Sequence, residues 1–268
     1  AAALRLIGLE LERLVCHVSD FGGLCTDVGF SVGAALATRI KENLLQASAR
    51  CCGTRYWRGV AVPGGLRLDL DSAAVARLTR SVEESVHEFR DLAHVVLETP
   101  SIQNRFEGAG ILKKNVARDL AVVGVVARAS GVDLDVRRDH PSGHYGLVQI
   151  TVPVLHYGDV MARARIRVEE VSVSARLIRE TADALPPGPV RAPAQFTAHV
   201  SGASAVESPR GELYYWIEGR DDRLTRCHIK SPSFQNWPAM PFAVVENMIA
   251  DFPLINKSFN LSYSGCDR

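Results

Sequence analysis

The sequence predicts an α+β fold in which helices predominate: a helical bundle followed by one small, late β-hairpin. Three observations carry this reading. Apolar residues recur at spacings of three and four over several long stretches, a Pro/Gly-rich break interrupts the pattern after residue 185, and two strand-like runs flank a polar turn beyond that break. The implied organisation is a helical core over residues 1–190, with 191–268 supplying the hairpin, a C-terminal helix and a tail that pack on the same core.

Leu4, Ile7, Leu11, Leu14 and Val18 mark the buried face of a first helix near residues 3–30, and Glu10, Arg13 and His17 follow one another on a second face at helical spacing. A second helix is expected from Val32 to Ala49, stopped by Gly53. Tyr56 to Val62 reads as a short extended piece ending in the turn Pro63-Gly64-Gly65. The next helix opens at Asp71 or Ser72, either of which can cap it, and carries Val75, Leu78, Val82, Val86, Phe89 and Ala93 on one stripe until Thr99-Pro100. From Gly108 to His144 the pattern is broken, with short helical turns around Lys113 to Leu120, the kind of loop-rich segment where sites sit. Asp159 caps a long helix with Val160, Ala164, Val168, Val171, Ala175 and Ile178 inward and a charged outer face, ended by Pro186-Pro187-Gly188-Pro189. Gly211 to Gly219 and Leu224 to Lys230 are strand-like around Arg220-Asp221-Asp222-Arg223, and a last helix is expected near Pro241 to Ala250. No internal repeat is visible.

At 268 residues and 47% apolar content the chain is long enough for a substantial core, and disorder is excluded. Its 31 basic and 30 acidic side chains leave a formal charge of +1, so no global field draws it to nucleic acid or anionic lipid. No apolar run approaches eighteen residues, and Arg5, Glu10, Glu12 and Arg13 interrupt the opening, so neither a membrane span nor a secretory signal is expected. Six cysteines without C-x-x-C spacing point to a reducing compartment, and the pair Cys51-Cys52 reads as small buried side chains, so no metal is assigned. The chain opens on Ala1 with the helical pattern already running, which suggests a processed, trimmed or separately encoded piece.

Several motifs occur in order. They are Ala3-Leu4-Arg5-Leu6-Ile7-Gly8-Leu9-Glu10-Leu11-Glu12-Arg13-Leu14; His17 with Leu24-Cys25-Thr26-Asp27-Val28-Gly29; Gly53-Thr54-Arg55 running to Pro63-Gly64-Gly65; Arg128 to Asp133 and Asp135 to Pro141; Pro209-Arg210-Gly211-Glu212-Leu213-Tyr214-Tyr215; and the tail from Asn260 to Asp267-Arg268. Together they resemble the large-subunit family shared by group-4 membrane-bound nickel-iron hydrogenases of the formate-hydrogenlyase type and respiratory complex I, the NADH:quinone oxidoreductase, whose own large subunit is hydrogenase-derived. The resemblance covers nearly the whole chain. Where hydrogenases of this group end in D-P-C-x-x-C-T-[DE]-R, the ligand positions here are Ser262 and Gly265, with Cys266 offset by one, and the N-terminal C-G-[IV]-C pair has no counterpart. A nickel-iron site needs four soft thiolates. Hydrogenase chemistry is therefore not expected, and no cofactor is expected in this chain.

What the resemblance implies is a subunit of a membrane-associated redox complex, peripheral on the cytoplasmic side of the inner membrane. It would lie beside a small iron-sulfur subunit that holds the cluster, with quinone as substrate of a cavity between them. In that cavity Asp27 and His17 are the implied catalytic groups, relaying protons to the quinone, while Asp27, Arg137, Asp139 and His140 are implied in substrate binding. Two readings of the polar residues stand side by side: a proton relay, or a mutually satisfied network of Glu10, Arg13, His17 and Asp27 that holds helices together. Arg137 to His140 equally fits a solvated turn, and the family's tyrosine after Pro141 is replaced by Ser142, with Tyr145 displaced. NAD binding is associated with such subunits by name, but no Gly-rich loop follows a strand here, and no H-E-x-x-H spacing occurs. The alternative function is a non-catalytic scaffold or interaction protein derived from a hydrogenase large subunit.

Overall fold

The computed structural model describes residues 1–193, 199–221 and 223–266. Helices α1 (Ala2–Asp27) and α2 (Ser31–Cys52) lead to a minimal hairpin, β1 (Ala61–Val62) and β2 (Gly65–Leu66), and then to α3 (Ser72–Leu97). Four short helices follow: α4 (Pro100–Phe106), α5 (Lys114–Asp119), α6 (Gly124–Ala129) and α7 (Val136–Asp139). The long α8 (Val160–Asp183) precedes strands β3 (His199–Ser208), β4 (Gly211–Arg220) and β5 (Arg223–Lys230), and the described chain closes with α9 (Pro232–Asn236), α10 (Met240–Val244) and α11 (Phe252–Phe259). Helices predominate and the strands form two small antiparallel sheets, the α+β arrangement expected.

The apolar stripes decide the packing. Leu4, Ile7, Leu11, Leu14 and Val18 are all buried, as are Val75, Leu78, Val82, Val86, Phe89 and Ala93 of α3. Helix α1 packs against α2 and α8, and α3 against α2 and α8. Phe21 and Phe89 meet edge to face with ring centroids 5.3 Å apart, the arrangement the ring quadrupole favours. Local signals fix the ends: Asp71 accepts the Ala73 N–H at 2.9 Å, Asp159 accepts the Ala162 N–H at 2.7 Å, and Gly53 closes α2 in the left-handed conformation.

One expectation is extended and three are corrected. Thr99-Pro100 ends α3 but starts α4, because proline suits the first helical turn. The single last helix expected near 241–250 is instead α10, broken before the left-handed Glu246, followed by α11, whose first turn again holds a proline. Strand β3 has no strand-like composition. It forms because β4 templates it over the whole register from His199↔Arg220 to Ser208↔Gly211, which makes the hairpin a three-stranded sheet. The root of that sheet enters the helical core: Gly124 has φ +71°, and a Cβ there would lie 2.1 Å from the Arg210 carbonyl oxygen, so only glycine lets the sheet root seat against α6. The polar face of α8 is not uniformly solvated either, since Arg163, Arg167 and Glu170 are fully buried.

Candidate functional site

Helical spacing on α1 turns Glu10, Arg13 and His17 toward one side, where α6, α7, α8 and the sheet root converge. His17 Nε2 lies 2.7 Å from Glu170 Oε2, and Arg128 grips the other oxygen of Glu170 through Nε at 2.8 Å. Arg128 also donates to Glu207 Oε1 at 2.9 Å and to the Leu134 carbonyl at 2.9 Å. Arg137 donates to both oxygens of Asp135, at 2.9 and 2.6 Å, and to Glu10 Oε2 at 3.1 Å. Glu10 further accepts from Arg13 at 3.2 Å, from the Tyr145 hydroxyl at 2.5 Å and from Ser174 at 2.6 Å. Arg13 completes the connection to the sheet root by donating to the Glu207 and Ser208 carbonyls, at 2.6 and 3.1 Å.

These groups are dry, so their electrostatics are strong. Burial alone would raise the Glu10 carboxyl, but Arg13 and Arg137 outweigh it and hold it down from 4.5 to about 2. Glu170 is held far below the ordinary range by Arg128 and His17 against the same burial penalty. For His17 burial wins: the imidazole is pushed below its usual range despite Glu170.

A pH dependence follows for Glu10. Its depressed folded pKa means that its stabilising contribution is complete above about pH 4.5 and is lost as pH falls toward about 2, on the order of 3 kcal/mol in all. Urea unfolding of the full chain at stepped acid pH should show this decline, and Glu10→Gln should flatten it. A stability unchanged down to about pH 3 would contradict the assignment.

A second cluster adjoins the first. Arg167 Nε is 3.5 Å from Asp20 Oδ2 and its Nη2 donates to the Ser258 carbonyl at 2.7 Å. Asn260 donates to Asp20, and Arg210 donates to the Asn260 carbonyl. Arg163 is held by carbonyls and by Ser258, and its guanidinium stacks 4.6 Å over the Phe259 ring.

The site residues read from sequence separate into three places. His17 and Arg137 are inside the buried network, while Asp139 and His140 lie at the surface, with Asp139 accepting from Arg138 at 2.7 Å. Asp27 belongs to neither group. Ten residues beyond His17, it lies about 15 Å further along the helix. Its carboxyl is raised by burial, partly offset by Lys257, and Oδ2 is buried without a hydrogen-bond partner among the described residues. Glu10, Arg13 and His17 therefore share one buried network, in which His17 Nδ1 has no partner among the described residues, and Asp27 stands outside it. The same end of the bundle carries an open apolar groove of about 330 Å³ lined by residues that include Phe30, Val32, Leu36, Leu92 and Val95.

Sequence reasoning did not assign Glu170, Ser174, Glu207 or Tyr145. A signal existed for the first two: they fall seven and eleven residues after Arg163, polar positions on a stripe of α8 otherwise surrounded by apolar ones. The displaced Tyr145 reaches Glu10 from the loop after α7.

At the tail, the two positions that correspond to nickel ligands form a closed turn. The Gly265 N–H donates to Ser262 Oγ at 3.1 Å, Ser231 donates to the Gly265 carbonyl at 2.5 Å, and Trp237 donates to the Ser262 carbonyl at 3.1 Å. The closing pair Asp267-Arg268 lies outside the described residues. A hydroxyl already used in the turn and a glycine do not fit a nickel-iron group, which needs thiolates, and among the described residues no cluster of three His, Cys, Asp or Glu is arranged to hold a metal.

A buried arginine-carboxylate network thus ties the long-helix bundle to the root of the small sheet. The family described as respiratory-chain NADH dehydrogenase, 49 kDa subunit, matches residues 27–204 and 195–268, and the chain belongs to it. It is 32% identical to formate hydrogenlyase subunit 5 of Escherichia coli K12, over all of this chain and 48% of that protein. It is 28% identical to NADH-quinone oxidoreductase subunit 4 of Thermus thermophilus, over all of this chain and 73% of that protein. The solved membrane-bound sulfane sulfur reductase, an archaeal respiratory membrane complex, contains a chain that superposes with a TM-score of 0.92 at 25% identity, covering all of this chain and 75% of that one. The chain thus spans about half the length of the two Escherichia coli hydrogenase-type relatives, 48% and 46%.

Proposed function

We propose that this chain serves in a complex-I-like or hydrogenase-like membrane redox complex, where it forms part of a quinone cavity beside an iron-sulfur partner subunit and holds no nickel-iron site of its own. The observation that carries the reading is Asp27: a carboxylate with one buried oxygen that has no partner among the described residues, at the end of the bundle that also bears the apolar groove. Buried polar atoms are nearly always paired, so an orphan oxygen marks a place where something else supplies the donor. A quinone headgroup taking up protons is such a partner, and a carboxyl with a raised pKa is suited to pass them. His17 and Arg137 act in this reading through the buried network that fixes α1, while Asp139 and His140 face outward beside it. Among the described residues no helix is long and apolar enough to cross a membrane. The association proposed is peripheral, on the cytoplasmic face of the inner membrane.

The test is purification of the native complex, with metal analysis, mass spectrometry of the partners and quinone-linked turnover. The expected result is a complex that contains an iron-sulfur subunit, reduces quinone and lacks stoichiometric nickel. Nickel at one per complex would overturn the metal-free assignment, and an assembled complex without redox turnover would favour the scaffold reading.

A further inference from the structure

The charges of the buried network do not balance. Four buried carboxylates, Glu10, Asp135, Glu170 and Glu207, face three buried guanidinia, Arg13, Arg128 and Arg137. Arg167, the next buried cation, is turned to Asp20, and Arg210, 3.8 Å from the same carboxylate, is only half-buried. His17 does not supply the missing charge: Nε2 faces Glu170 but Nδ1 has no partner among the described residues, so an imidazolium would bury an N–H with nothing to accept it. With every carboxylate ionised, one negative charge would remain unmatched in a dry interior, which is strongly unfavourable.

Counting donors identifies where the balance is restored. Glu10 accepts from two arginines and two hydroxyls, Glu170 from Arg128 and His17, and Asp135 from Arg137 through both oxygens. Glu207 has one guanidinium nitrogen at 2.9 Å and one peptide N–H, of Val136, at 3.2 Å. Even that nitrogen is shared, since Arg128 Nη1 also lies 3.6 Å from Asp135 Oδ2. Glu207 is the least compensated of the four.

We propose that Glu207 is a proton-binding site, holding at neutral pH the proton that balances the network and exchanging it with solvent through the small cavity beside His140. That cavity, about 90 Å³, is large enough for water, and Asp135, Asp139, His140, Glu207 and Glu212 all line it. His140 is exposed and Glu212 half-buried, so its outer side is wet. The groups facing Glu207 are Arg13 from α1, Arg128 from α6, Asp135, Asp139 and His140 from the α7 turn and Glu212 from β4. Burial first and then Asp135 push the Glu207 carboxyl up, with Arg128 opposing, whereas Asp135 itself is held down by Arg137 and Arg128. The proposal is independent of the quinone assignment of Asp27.

Infrared spectroscopy of the folded full chain at neutral pH tests it. A carbonyl band of a protonated carboxylic acid is expected, shifted on transfer to D2O without unfolding and absent in Glu207→Gln. Burial also raises the carboxyls of Glu12 and Asp27, so the measurement uses a Glu12→Gln, Asp27→Asn background, which should keep the band. Should Glu207→Gln fail to fold, carbon-13 labelling in that background decides: labelled glutamate carboxyls should move the band and labelled aspartate should not. Absence of the band from the folded chain, its persistence in Glu207→Gln, its movement with aspartate labelling or its insensitivity to D2O would each overturn the proposal.

Discussion

Arg128→Met should lower the stability of the chain by about 3–5 kcal/mol, or prevent folding altogether, because it removes one partner of a buried ionic cluster and leaves the others in place. Arg128 is fully buried and is the shared donor of Glu170 and Glu207, with a further bond to the Leu134 carbonyl. Methionine fills much of the volume, so the loss is electrostatic rather than a cavity effect. Arg138, on α7, is the control. It makes comparably short contacts, 2.7 Å to Asp133 and 2.7 Å to Asp139, but at the surface, where water screens and replaces them, so Arg138→Ala should change stability by less than about 1 kcal/mol. Urea unfolding of both variants provides the comparison, and equal effects would mean that burial does not set the worth of the network.

The contrast between these two arginines shows what a sequence conveys and what it withholds. Helices α1, α3 and α8 were legible because burial of an apolar stripe is a one-dimensional pattern, and Asp71, Asp159 and Gly53 mark helix ends locally. Strand β3 was not, because its ten residues owe their conformation to β4 and not to their own composition. Within the site, Glu10, Arg13 and His17 could be grouped from helical spacing alone. Their partners could not: Glu170 is 153 residues from His17, and Glu207 is 79 from Arg128. Nothing local separates Arg137, buried between Glu10 and Asp135, from its exposed neighbour Arg138, since the difference depends on which way a four-residue helix docks. The same limitation placed Asp27 in one group with His17, although the helix carries the two to different surroundings.

In the assembled native complex, Asp27→Asn should reduce quinone-linked turnover by about 100-fold or more, the usual scale for losing a positioned acid-base group. The substitution keeps size and shape and removes only the ability to carry charge and a titrating proton. Its structural cost should be small, because among the described residues Asp27 has an oxygen without a partner and no ion pair to break, and Lys257 is its electrostatic neighbour. Melting temperature and complex yield should therefore remain near those of the wild type, while His17→Gln, which disturbs the 2.7 Å contact with buried Glu170, should lower both. The pH profile separates the roles further. An essential acid at Asp27, its carboxyl raised by burial, should bend the turnover profile of the wild type at a pH above the ordinary aspartate range, and this bend should vanish from the residual activity of Asp27→Asn. Full turnover in an assembled Asp27→Asn complex would remove Asp27 from the catalytic group, and a fall in yield matching the fall in turnover would assign it to assembly instead.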